Sequence, residues 1–169
     1  MPENSFLYFA YGSNMLSSRL RERCPSARPV GVAELQDHEL RWNKRSKDNS
    51  GKCDVVACQG KRVIGVLYRI EACDKKALDR AEGLGRGYQE IEAHVLHDRN
   101  NVIAKAYQAT ETDELLIPYG WYKALVIAGA QENGLPQDYV EQLKLVVSTD
   151  DPDRARHDKE FHLIEGVNQ

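Results

Sequence analysis

The run Phe6-Leu7-Tyr8-Phe9, followed closely by Gly12, is the feature that most constrains this chain. Four large apolar residues without a charge suit a strand buried on both faces. Gly12 ends the run, and glycine both accepts positive φ and lets a backbone come close to a ligand. Ser13 and Asn14 are N-cap residue types, and Met15 to Arg23 reads as a short helix. Strand, tight turn and helix start, in that order, leave the turn's backbone N–H groups aimed at whatever lies above it. Local physics reads the segment equally well as a plain strand-to-helix connection.

The rest of the chain supplies more strands, then helices. Pro25 and Pro29 close the first helix, and Val32 to Trp42 reads as a strand with Glu34, Gln36 and His38 on one face. Arg41 to Lys52 is basic, polar and aperiodic, and reads as a loop. Asp54–Cys58 and Arg62–Ile70 are two strands, joined by a hairpin turn at Gln59-Gly60-Lys61. The second is apolar on both faces, which makes it central, and Cys58 is expected in the core. Asp74 then caps a short helix with Ala77, Leu78 and Ala81 inward, Glu82 at its end and Gly83 as its stop. Tyr88–His97 alternates cleanly, as an antiparallel strand with one wet face does, and Asp98–Asn101 turns it into Val102–Ala109. Tyr119–Gln131 is apolar almost all round and is therefore a buried helix. Gly134 ends it and Pro136 opens the next helix, whose inner stripe is Tyr139, Leu143 and Val146 or Val147. Asp150–Phe161 is a charged helix, and the last residues fray. Hairpins followed by helices make an α+β layout, and residues 1–169 read as a single domain.

Bulk properties exclude several classes. A net charge of −3 argues against a general binder of nucleic acid or anionic membranes. Trp42 beside Lys44 and Arg45 is the one local hint of base stacking, outweighed by a solvated loop on an acidic protein. No stretch approaches the ~18 apolar residues of a membrane helix, and Met1–Ser5 carries no secretory leader. Cys24, Cys53, Cys58 and Cys73 show no CxxC pair and no zinc spacing, so reduced thiols in the cytoplasm are expected. His94 and His97, three apart on a strand, face opposite sides and make a poor metal pair. No motif implies a cofactor.

Phe9-Ala10-Tyr11-Gly12-Ser13-Asn14-Met15 resembles the signature loop of the γ-glutamyl cyclotransferases. The resemblance continues at Leu78-Asp79-Arg80-Ala81-Glu82-Gly83, at Tyr122-Lys123, and at Gly129-Ala130-Gln131-Glu132-Asn133-Gly134-Leu135-Pro136. It spans Phe6 to about Leu145 in the family's order. It implies a small, mostly antiparallel β-barrel flanked by helices. It also implies a small-molecule γ-glutamyl substrate, bound by a monomer or homodimer. The implied reaction is intramolecular: the substrate's α-amine attacks its own γ-carbonyl, 5-oxoproline forms, and an amino acid or amine leaves. No protein nucleophile is then required.

By this resemblance Glu82 is the catalytic proton carrier. Tyr8, Phe9, Ala10, Tyr11, Gly12, Ser13 and Asn14 hold the glutamyl group, and Tyr122 is a substrate-site tyrosine. A carboxylate at a helix C-terminus with apolar neighbours should have a raised pKa, which suits the carrier role. The bland readings are an exposed helix-end Glu82, capping by Ser13 and Asn14, and a core Tyr122. Two functional alternatives stay open: a sister activity releasing a γ-glutamyl group from an amine, and a non-catalytic γ-glutamyl-binding module. Ser-Asn after Gly12 is more similar to the amino-acid branch than to the amine branch (Thr-Leu) or the glutathione branch (Ser-Leu).

Overall fold

The computed structural model describes residues 4–165. Five strands close into a barrel in the order β1-β3-β2-β4-β5. They are β1 (Ser5–Ala10), β2 (Arg28–Arg45), β3 (Gly51–Glu71), β4 (Tyr88–His97) and β5 (Asn100–Ala109). Every pairing is antiparallel except β1 with β5, which closes the barrel at Tyr8↔Lys105. Helices α1 (Ser17–Arg23), α2 (Lys75–Glu82), α3 (Gly120–Glu132), α4 (Gln137–Lys144) and α5 (Arg154–Glu165) lie outside the strands in the chain's order. The small, mostly antiparallel barrel flanked by helices is the fold expected. Among the described residues no helix is long and apolar enough to cross a membrane.

β3 is the central strand, hydrogen-bonded to β1 on one side and β2 on the other. Its second half is apolar on both faces, and Val63, Ile64, Val66, Leu67 and Tyr68 are all fully buried. The expected hairpin at Gln59-Gly60-Lys61 does not form, because β3 runs through it as one 21-residue strand. Gly60 has φ +83° and Asp37, opposite, has φ +56°. The Asp37 carboxylate accepts the Gly60 N–H at 2.9 Å. A positive-φ glycine serves a bulge as well as a turn, and here it bends a long two-stranded ribbon instead of reversing the chain.

Arg41–Lys52 is likewise not a loop. β2 extends to Arg45, β3 begins at Gly51, and only 46–50 connect them. Trp42 packs against the core, edge-on to Tyr122 with ring centroids 6.0 Å apart, and is not a solvated side chain. Cys58 is only half-buried, whereas Cys24 and Cys53 are in the core.

In α2 only Leu78 is fully buried, and Ala81 is exposed. Asp74 does not cap α2 with its side chain. Its carboxylate instead takes the Ser26 N–H at 3.0 Å and the Ser26 hydroxyl at 2.6 Å. α3 is buried as its composition requires. The inner residues of α4 are Val140 and Leu143, with Tyr139 packed against the core as expected, and the helix ends at Lys144 before Val146 and Val147. The last helix starts at Arg154, four residues later than the charge pattern suggested. It also runs on to Glu165, past the expected end at Phe161, so 162–165 are helical where fraying was expected, and 166–169 lie outside the described residues.

Candidate active site

Tyr8, on β1, and Tyr11, just past its end, face a small cavity lined also by Gly12, Ser13, Asn14, Cys53, Glu82, Tyr88, Tyr107 and Tyr122. Phe9 and Ala10 do not line it. They are fully buried core residues, so two of the expected binding positions are structural.

After Gly12 the chain makes one 3-10 turn, Ser13–Met15, before α1 begins at Ser17. Ser13 and Asn14 therefore cap nothing. The start of α1 is capped from another helix: Glu132 of α3 accepts the Ser17 N–H at 2.9 Å and the Ser17 hydroxyl at 2.5 Å. Ser13 Oγ accepts Arg19 Nε at 3.0 Å. Asn14 is spent on the cavity. Its Oδ1 accepts Arg23 Nη1 at 2.9 Å, which turns its Nδ2 toward Glu82 Oε1 and the Tyr8 hydroxyl.

Gly12 has φ −116°, so positive φ is not its purpose. Close approach is. A Cβ there would sit 3.1 Å from both the Tyr122 hydroxyl and Cys53 Cβ. α3 is seated on the same turn through Gly129, where a Cβ would meet Leu16 N at 2.5 Å and Met15 C at 2.7 Å. Asn133 Nδ2 completes the seat by donating to Met15 O at 2.8 Å.

Glu82 is the last residue of α2, and Gly83 stops the helix in the left-handed region at φ 70°. The Glu82 carboxylate accepts the Tyr8 hydroxyl at 3.4 Å as well as Asn14 Nδ2. Burial raises its pKa above the ordinary Glu value, and Arg23, Arg19 and Lys44 pull against that rise. The direction matches expectation, but the neighbours are hydroxyls and an amide, not apolar groups. Burial also raises Tyr8, Tyr11, Tyr88, Tyr107 and Tyr122, and pushes the Cys53 thiol up to about 12. Among the described residues Glu82 is the one carboxylate that lines the cavity, and its pKa is raised while those of the tyrosines and the Cys53 thiol are moved further from neutrality.

The tyrosine hydroxyls are not equivalent. Tyr11 donates to Tyr107 O, Tyr88 to Cys53 O at 2.7 Å, and Tyr107 to Asp79 at 2.5 Å. Tyr122 instead accepts the Cys53 N–H at 3.0 Å, with its own hydroxyl proton beside the Cys53 thiol at the cavity wall. Cys53, Tyr88 and Tyr107 escaped the sequence reading. Each sits on a strand whose pattern explains it as ordinary core, and only long-range pairing brings them together.

Ser13, Glu82, Tyr88 and Tyr122 also line a wider, open basin into which the cavity leads. Nine Arg and Lys side chains and three carboxylates (Asp48, Glu82 and Glu160) line that basin. Its far wall includes Arg156 and Glu160 of α5.

Comparison with known proteins places this geometry. The AIG2-like family model matches residues 62–143. The chain is 34% identical to the γ-glutamylcyclotransferase of Homo sapiens, over 99% of this chain and 92% of the human protein. It is 36% identical to that of Bos taurus, over 86% and 81% of the two chains. A solved γ-glutamyl cyclotransferase structure superimposes with a TM-score of 0.83 at 32% identity, covering 92% of this chain and 99% of that one. With sequence identity of this order spread over nearly the whole of both chains, and the same fold beneath it, the chain belongs to the γ-glutamylcyclotransferase family.

Proposed function

We propose that this enzyme converts γ-glutamyl amides to 5-oxoproline, with the cavity holding the glutamyl half and Glu82 moving the proton. The observation that carries the reading is that, among the described residues, Glu82 is the sole carboxylate lining a cavity of tyrosines, Asn14 and turn backbone, held by Tyr8 and Asn14. Folding the glutamyl chain so that its amine meets its own γ-carbonyl is mainly a matter of orientation. A polar cavity lined by Tyr8, Tyr11 and Gly12 supports that task. As the amine nitrogen bonds to the γ-carbon, its surplus proton passes to Glu82. The carbonyl oxygen becomes an oxyanion, for which the Tyr122 hydroxyl and the opening N–H groups of the Gly12–Asn14 turn are candidate donors. The amide C–N bond then breaks, and Glu82 returns the proton to the leaving nitrogen. Water is not consumed, and the carboxylate is regenerated.

Mass spectrometry over γ-glutamyl amino acids, γ-glutamyl amines and glutathione tests this, with no metal or nucleotide added. The expected products are 5-oxoproline and a free amino acid in equal amounts. Absence of 5-oxoproline from every member of the panel overturns the reading in favour of a binding module. Turnover confined to amines favours the amine-releasing sister activity.

A further inference from the structure

We propose that the basin outside the cavity is an anion subsite for the leaving half of the substrate. Lys44 is its specificity-determining cation, so the enzyme prefers leaving groups that carry extra carboxylates. This rests on the cyclotransferase reading. If Glu82 returns the proton to the leaving nitrogen, that nitrogen lies at the rim shared by cavity and basin, and the leaving group extends into the basin.

The basin's charge is anomalous for this protein. A chain of net charge −3 gathers nine cations there against three carboxylates. Four of the nine are neutralised: Arg19 by Glu160, Arg45 by Asp113, Lys52 by Asp48, and Arg156 by Asp151. Arg23 is engaged by the neutral Asn14. Lys44, Lys47, Arg80 and Arg86 have no carboxylate partner among the described residues.

Lys44 is the best placed of these. Its ammonium lies 4.4 Å from the centroid of the Tyr88 ring, and Tyr88 lines the cavity too. The missing side chain of Gly87 makes room for it, since a Cβ there would stand 3.0 Å from Lys44 Nζ. The ammonium has no hydrogen-bond acceptor among the described residues. Burial lowers its pKa against the pull of the Glu82, Asp48 and Glu111 carboxylates, none of which hydrogen-bonds the ammonium, so it lacks direct compensation. A carboxylate on the leaving group supplies that compensation, and a charge-assisted hydrogen bond is about twice as strong as a neutral one. An uncharged or cationic amine supplies nothing or repels.

The test compares kcat/KM for γ-glutamyl-glutamate, γ-glutamyl-alanine and γ-glutamyl-methylamide at low and high salt. At low salt the glutamate compound is expected to exceed the alanine compound about tenfold, mainly through KM, as one added charge-assisted contact warrants. The methylamide should be poorest, and high salt should shrink the differences. Lys44→Gln should bring the glutamate-to-alanine ratio close to one, whereas Lys44→Arg should keep it. A wild-type ratio at or below one, or a ratio unmoved in Lys44→Gln, overturns the anion subsite while 5-oxoproline formation keeps the parent reading intact. If none of the three compounds yields 5-oxoproline, both readings fall.

Discussion

Glu82 is held by two donors, Tyr8 and Asn14, that favour its charged form, inside a cavity whose burial favours its neutral form. That balance suits the proton-carrying role proposed for Glu82. Glu82→Gln is expected to lower kcat by about 10² to 10⁴ while leaving substrate binding measurable by calorimetry. Its folded pKa is raised, so between the unfolded value of ~4.3 and the folded one the native chain binds the extra proton. Stability therefore falls as pH rises through that window. The glutamine variant should match or exceed the parent in thermal unfolding at pH 7, and a clear loss of Tm there would contradict the burial argument. Glu90→Gln is the control. Glu90 is an ion-pair partner of Lys75 and Lys105 on the outer face of β4, and its loss should leave kcat near normal. Gly12→Ala keeps an allowed φ but pushes a methyl group against the Tyr122 hydroxyl. It should fold, with kcat/KM lowered about 10- to 100-fold, as small misplacements in a reacting geometry do. Unchanged kinetics would remove Gly12 from the cavity wall.

At the scale of elements, the site depends on α3 pressing on the turn after β1. Gly129→Ala forces a Cβ into the Met15–Leu16 backbone. Overpacking of this kind costs about 1–3 kcal/mol, read from the denaturant midpoint. It should also shift Gly12 and Asn14, so kcat/KM should fall, whereas a loss of stability alone would show the seat to be purely structural. The sequence made several of these elements plain. β1, β4, β5 and α3 each carry a pattern with one reading, because alternation or all-round apolarity is local. The ribbon of β2 and β3 was misread because Gly60 has the same chemistry in a bulge as in a turn. Only the partner strand, with Asp37 opposite, decides between them. Ser13 and Asn14 were misread as caps because a hydroxyl and an amide suit a helix start as well as a cavity. The cap of α1 comes from Glu132, 115 residues away from Ser17. Glu82, Gly12 and Tyr122 stood out through the family resemblance, while Tyr88, Tyr107 and Cys53 needed the barrel to be seen at all.

Across the whole molecule, α5 is a strap over α3 and the basin. Asp151, buried, accepts Trp121 Nε1 at 2.8 Å and Arg156 Nε at 2.6 Å, and Arg156 holds its carboxyl well below the usual range. Arg19 joins Glu160 of α5 at 2.7 Å, tying the same strap to the helix behind Ser13. A depressed carboxyl contributes stability that is complete above its unfolded pKa, ~3.9, and is lost as pH falls through the folded value. Asp151→Asn should cost about 1.5–3 kcal/mol at neutral pH, the worth of hydrogen bonds to a charged group. Its deficit should shrink as the parent is acidified below about pH 4. A pH-independent deficit would assign the effect to packing.

The seat of Met15 beneath Asn133 also sets a schedule. Met15 is made 118 residues before the side chain that accepts it into place. At about 5–20 residues per second on the ribosome, that is a wait of ~6–24 seconds. β1 meanwhile has no partner until β3 is made, and its parallel contact must wait for β5. The turn after β1 thus waits far longer for its last neighbour than β1 waits for its first. A nascent chain arrested after β5 would carry a barrel's strands without Tyr122, Gly129 or Asn133. The turn after β1 takes its final form only once α3 has been made, so its shape arrives late and all at once.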